Sequence, residues 1–171
     1  ILKTIGRHYQ TGEVLSDKLI TQLRAAKHFQ AGLFLVRQLE FALFDLYLHL
    51  TQPAPSATEI QALIQKIRAR VGVLPVPEYQ RFPQSFSHIF SGGYAAGYYS
   101  YLWAEVLASD GFAAFEEAGI FNNEVAQRFM DTILSQGGAK PAEVLFREFR
   151  GRDPEQAALL RHLFGESQVI K

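Results

Sequence analysis

Apolar residues recur with a helical period along most of this chain, and glycine, proline and short polar residues punctuate the periodic stretches. Ile1, Leu2 and Ile5 share one helical face, and Thr11-Gly12 ends that first stretch. Ser16 reads as the N-cap of a helix from Asp17 to about His28. From Gln30 to about Leu50 the pattern is apolar nearly all round, through Leu33, Phe34, Leu35, Val36, Leu39, Phe41, Leu43, Phe44 and Leu46. Such a pattern predicts a central helix buried on most sides. Arg37, Glu40 and Asp45 interrupt it, and each needs a partner once buried. Asp45 and His49 stand four apart and can pair.

Further along, Thr51 to Ala57 carries two prolines and reads as a surface loop. Thr58-x-x-Gln61 is a capping box that opens a helix to about Arg70. Val71 to Ser85, with Pro75, Pro77 and Pro83, reads as an irregular connection. It is long for a structureless loop, which points to a functional loop or one packed on another part. His88 to Gly93 is a glycine-bearing turn, and a helix is predicted from about Tyr94 to Ser109. Asp110 then caps a short helix that Gly119 stops. Asn122 or Asn123 caps the next, which ends near Gly137-Gly138. Pro141 opens a helix that Gly151 closes, and Asp153-Pro154 opens the last, which ends at Gly165. No segment alternates with a strand period, and no repeat, low-complexity run or linker divides the chain. The expectation is an all-α fold, with residues 1–171 as a single helical segment of a larger, mostly helical protein.

Charge narrows the partners. Lys plus Arg and Asp plus Glu each number 17, so the formal net charge is zero. A broad nucleic-acid surface or a polybasic membrane anchor needs a basic excess, so neither nucleic acid nor membrane is an expected partner. Without cysteine there is no disulfide scaffold and no thiolate metal site. No signal peptide and no long apolar span appear, which favours a soluble, cytoplasmic protein. The text opens at Ile1 in mid-pattern, which suggests that a preceding part of the same protein is missing. Fourteen Phe and seven Tyr are many for a helical chain of this size. Some of these rings are expected to pack on that missing part, so that the isolated piece self-associates.

Candidate chemistry concentrates in one place. The histidines are His8, His28, His49, His88 and His162, and no two are four apart, so the helical HExxH zinc motif is absent. His162 and Glu166 are four apart and read as a surface pair. No serine lies in a G-x-S-x-G elbow, and no Gly-Lys-Ser/Thr follows the paired glycines. The unusual stretch is His88 to Trp103, with four tyrosines in the eight residues 94–101. At i, i+4 and i+7, Tyr94, Tyr98 and Tyr101 would share one helical face, while Tyr99 and Trp103 point elsewhere and can serve the core. Gly92 and Gly93 permit close backbone approach or a hinge, and His88 stands across that turn. An aromatic stripe ordinarily fills a helix interface. A core stripe, however, prefers Leu and Phe, because a buried phenol needs a partner. Three phenols beside paired glycines and a histidine suit a surface that reads peptide carbonyls. A phenol donates a hydrogen bond while staying neutral near pH 7, and a donor aimed at an oxyanion contributes on the order of 3 kcal/mol.

The stretch Phe86-Ser-His-Ile-Phe-Ser-Gly-Gly-Tyr-Ala-Ala-Gly-Tyr-Tyr-Ser-Tyr-Leu-Trp-Ala-Glu-Val-Leu107 resembles the zinc oligopeptidase family of thimet oligopeptidase, neurolysin, oligopeptidase A and dipeptidyl carboxypeptidase. Support continues in Phe115–Asn122, Ile133–Gly138 and Phe149–Pro154, and upstream in His8–Glu13, Phe29–Gly32 and Arg37–Ala42. The likeness runs over nearly the whole chain and is strongest to the bacterial oligopeptidase A branch. It implies a metalloendopeptidase in which a zinc-bound water attacks the peptide bond, with the Glu of HExxH as base. The motifs that hold the metal lie N-terminal to the matched region in such enzymes. Zinc is therefore expected in the full-length parent and none in this piece, which alone would be inactive. By the same resemblance, Tyr98 stabilises the oxyanion with His88 assisting, Tyr94 and Tyr101 contact the backbone of a short peptide substrate, and the Gly92-Gly93 loop moves over it. The alternative is a non-catalytic helical binding or regulatory module that docks a partner on its tyrosine face.

Overall fold

The structure, a computed structural model, describes residues 1–165. These residues form nine α-helices: α1 (Leu2–Ile5), α2 (Asp17–His28), α3 (Ala31–Leu50), α4 (Ala57–Val71), α5 (Phe82–Ser85), α6 (Ser100–Ala118), α7 (Asn123–Phe129), α8 (Ala142–Arg150) and α9 (Ala157–Phe164). A 3₁₀ turn, Ser87–Ile89, precedes α6, and a π-helical turn, Met130–Leu134, continues α7. Among the described residues there is no strand, and Arg7 and Val14 form an isolated antiparallel bridge. The all-α expectation holds.

Local signals set many boundaries. Ser16 caps α2 by accepting the Leu19 N–H, Asn122 caps α7 through the N–H groups of Glu124 and Val125, and Gly151 closes α8 in the left-handed conformation. Other boundaries differ from expectation. The opening stretch is one helical turn, because the chain then folds back so that Leu15 N–H reaches Gly6 O. The capping box of α4 is Ser56 with Glu59, two residues ahead of Thr58-x-x-Gln61. There the Glu59 carboxylate accepts both the hydroxyl and the backbone N–H of Ser56, which holds its carboxyl below the usual range. Within the proline-bearing connection, Phe82–Ser85 forms a helical turn.

The largest corrections concern α6 and α9. The helix expected to start near Tyr94 starts at Ser100 and runs unbroken to Ala118, straight through Asp110. Asp110 is no cap: it is 1% exposed and its carboxylate is taken by arginines at and beyond the end of α8. Asp153-Pro154 does not open α9, because the Glu155 N–H is bonded to Asp110 and Asp153 is bonded to Arg147. The helix begins only at Ala157. His162 reaches Glu116 at 3.2 Å, whereas the Glu166 of the expected pair lies outside the described residues.

The core has two centres. Phe44 and Leu48 of α3 pack with Ile64 and Ile67 of α4 and with Phe86 and Ile89, and the ring of Tyr98 borders this cluster. The second centre joins Ala114 of α6, Val125 of α7 and Phe149 of α8. Helix α9 lies against α6, α3 and α2, and His28 Nδ1 sits 2.9 Å from Leu163 O. Helix α3 is less enclosed than its pattern predicts. It buries Ala42, Phe44, Asp45 and Leu48, but Phe34, Leu39, Tyr47 and Leu50 are exposed. Its charges do find partners: Glu40 accepts from Arg37 at 2.7 Å and from Arg68 at 2.9 Å.

Candidate active site

Residues 94–99 are a run of turns leading into α6, and a carboxylate 51 and 53 residues away shapes them. Asp45, wholly buried in α3, accepts the Ala96 N–H at 2.9 Å on Oδ1 and the Tyr98 N–H at 2.8 Å on Oδ2. His49 Nδ1 lies 2.9 Å from the same Oδ1 and 2.8 Å from Asp45 O, which realises the pair expected from their spacing. Ala96 sits at φ 55°, in the left-handed region. That geometry costs an L residue roughly 1–2 kcal/mol and is kept only where its surroundings enforce it. Here the two amide bonds to Asp45 do so. They also explain why no helix forms at Tyr94, since a left-handed residue cannot continue a right-handed helix.

The three phenols nevertheless come together. Ring centroids of Tyr94 and Tyr101 are 5.2 Å apart, and those of Tyr98 and Tyr101 are 5.1 Å apart. His88 joins them, 6.4 Å from Tyr94 and 6.3 Å from Tyr98. Tyr98 is the most firmly held. Its ring meets Phe41 and Phe86 edge-on at 5.7 Å and 5.1 Å, and its hydroxyl donates to Gln38 Oε1 at 3.0 Å. Burial pushes the Tyr98 phenol above its usual pKa, and the nearby Arg37 charge offsets only part of this. The Tyr101 phenol is also raised, first by its hydrogen bond with Tyr94, then by partial burial and by the neighbouring phenols. Both groups are therefore neutral donors at pH 7.

The paired glycines have separate reasons. A Cβ on Gly92 would lie 2.8 Å from His88 O, so the chain can pass there only without a side chain. Gly93 has φ 77° and supplies the left-handed turn. Ser91 N–H bonds Ser87 O at 2.8 Å and Tyr94 N–H approaches His88 O at 3.4 Å, so the loop wraps around the His88 backbone. Tyr99 and Trp103 do not serve the core of the described residues: they are 52% and 51% exposed.

Neither Asp45 as the anchor of the tyrosine turn nor Gln38 as the acceptor for Tyr98 follows from sequence reasoning. An acid in an otherwise apolar helix signals an unmet need, but no spacing rule reaches its partners. Among the described residues no three His, Asp or Glu side chains gather as ligands, and His88 meets aromatic rings rather than carboxylates.

Residues 1–164 match the profile of peptidase family M3. The chain is 52% identical over 161 residues to oligopeptidase A of Escherichia coli (strain K12), an alignment covering 94% of this chain and 24% of that protein. It is 48% identical over 165 residues to the probable cytosolic oligopeptidase A of Arabidopsis thaliana, covering 94% and 24%. Against dipeptidyl carboxypeptidase of Escherichia coli (strain K12) the figures are 37% over 162 residues, 92% and 23%. The chain thus spans about a quarter of the length of the curated relatives it matches. A tyrosine cluster beside paired glycines, a helical frame throughout and a family match over nearly every described residue lead to one conclusion: this chain belongs to peptidase family M3.

Proposed function

We propose that this chain forms part of a cytoplasmic zinc-dependent oligopeptidase, where it supplies the groups that bind a short peptide and stabilise the oxyanion formed at its scissile carbonyl. The observation that carries this reading is Tyr98: a neutral phenol, raised in pKa by burial and packed edge-on against Phe41 and Phe86. Such a donor can lend a proton to a developing negative charge without titrating at pH 7. Its single proton is engaged by Gln38, so engaging an oxyanion means exchanging one acceptor for the other. His88 lies on the flank of the Tyr98 ring and assists. Tyr94 and Tyr101 stand beside it as contacts for the substrate backbone, and the Gly92-Gly93 loop covers the bound peptide. The zinc of such an enzyme polarises the carbonyl and activates water. By the family resemblance, its ligands lie in a preceding part of the protein. Cytoplasmic placement follows the Arabidopsis relative named as cytosolic.

Steady-state kinetics of the complete peptidase test the reading. Tyr98→Phe should lower kcat by about two orders of magnitude with little change in KM, as for a donor used only in the transition state. Tyr94→Phe and Tyr101→Phe should lose less kcat and show a larger share in KM. Normal kcat in all three variants would instead make the tyrosine face a docking surface without chemistry. The piece by itself should bind no stoichiometric zinc and cleave no quenched peptide; one tightly held zinc per chain in metal analysis would overturn that assignment.

A further inference from the structure

We infer that Asp45 is the positioning residue for Tyr98: its buried carboxylate, acting through the Ala96 and Tyr98 amides, fixes where the phenol stands. The inference rests on the oxyanion role proposed for Tyr98. Asp45 is wholly buried, and among the described residues no arginine or lysine forms an ion pair with it. A buried carboxylate is costly unless each oxygen is well matched. Here Oδ1 accepts the Ala96 N–H and Oδ2 the Tyr98 N–H, while His49 Nδ1, paired with Asp45 O, lies 2.9 Å from Oδ1. These acceptors do nothing for α3 itself, whose backbone is already helical. They satisfy two amides of a turn whose own bonds, such as Gly97 N–H to Tyr94 O at 2.8 Å, leave those two amides free, and they hold Ala96 left-handed at φ 55°. The same helix grips the other end of Tyr98, with Phe41 against the ring and Gln38 on the hydroxyl. Backbone and phenol are thus both referenced to α3, from Gln38 to Asp45, so the donor cannot drift relative to that helix. Asp45 does not touch the phenol and acts only through the peptide chain.

Positioning makes a prediction that general destabilisation does not. In the complete peptidase, Asp45→Asn keeps the volume but sets an NH₂ against one amide, so the turn must shift. Misplacement of a catalytic group on the ångström scale costs about tenfold to a hundredfold. Asp45→Asn should therefore lower kcat by about tenfold or more and leave KM nearly unchanged. In the Tyr98→Phe background the same substitution should lower kcat less than about twofold, because the group it positions has lost its function. Ala96→Val probes the turn without disturbing the carboxylate, since a β-branched residue resists the left-handed region. It should repeat the pattern, whereas Ala96→Gly should keep normal kcat. Should Asp45→Asn fail to fold, the Ala96 pair decides. An equal loss of kcat in both backgrounds, or no loss in either, overturns the inference while leaving the Tyr98 reading intact. Normal kcat in Tyr98→Phe alone removes both.

Discussion

Asp45 in α3 and Asp110 in α6 are both buried acids set within long helices, and both reach across 40 or more residues. They hold different things. Asp110 is matched with charge: Arg152 Nη1 and Nη2 each lie 2.7 Å from its oxygens, Arg150 Nε is 3.2 Å away, and the Glu155 N–H completes the set at 2.8 Å. Arg150 then passes on to Glu117 at 2.9 Å and 3.0 Å. Asp45 is matched with two neutral amides and one imidazole. The first arrangement rivets the end of α8 and the approach to α9 onto α6. The second shapes a turn and spends its binding capacity on backbone position. Charge on charge serves cohesion, whereas a carboxylate on amides dictates conformation.

The contrast is most exposed to disproof at Asp110. Asp110→Ala removes the acceptor of Arg152 and of the Glu155 N–H, but Arg150 keeps Glu117 and the Arg152 side chain is 35% exposed, so the loss should be about 1–3 kcal/mol. Denaturant unfolding should show this as a lowered midpoint with an unchanged slope. A loss below about 1 kcal/mol would reduce the network to a surface decoration. The effect depends on pH. Burial alone would raise the Asp110 carboxyl, but the Arg152 hydrogen bonds, the Glu155 N–H and the two arginine charges together hold it below its usual value. A depressed folded-state pKa contributes stability that is present above the unfolded value of about 3.9 and is lost as pH falls through the folded value. Wild type should therefore weaken steeply below about pH 4, and Asp110→Asn should weaken less over the same range. Unfolding midpoints at neutral and acid pH measure both slopes.

Two smaller effects sharpen the contrast. Glu117 sits at the exposed end of the network, 62% accessible, so Glu117→Gln should cost only about 0.5–1 kcal/mol in the same unfolding assay. Gln38→Ala removes a neutral acceptor from Tyr98 while Phe41 and Phe86 still pack against the ring. A net hydrogen bond contributes about 0.5–1.5 kcal/mol, so kcat should change by about twofold to tenfold. A much larger loss would move the orienting role from Asp45 to Gln38.

What is legible in the sequence divides along the same line. Ser16, Asn122 and Gly151 act on the residues beside them, and the boundaries they mark stand in the structure. Asp110 and Asp153 read as caps by the same local rule, yet Arg152 and Arg147 claim them across space. A helical spacing groups Tyr94, Tyr98 and Tyr101, and the structure does not adopt it there, because Asp45 diverts the turn. They converge all the same, around Tyr101. Family membership is readable from the Gly-Gly-Tyr stretch because its residues are contiguous. The anchor of that stretch is not, because its acceptor lies far earlier in the chain.

Everything proposed for the site turns on the Tyr98 phenol favouring the transition state over the bound substrate. The most direct test is a paired binding measurement on the complete peptidase, wild type against Tyr98→Phe. One ligand is a peptide with a tetrahedral phosphinate in place of the scissile amide; the other is the matching amide substrate, followed through KM. The variant should bind the phosphinate about a hundredfold more weakly and change KM by less than about twofold. Equal, small changes for both ligands would contradict the oxyanion role.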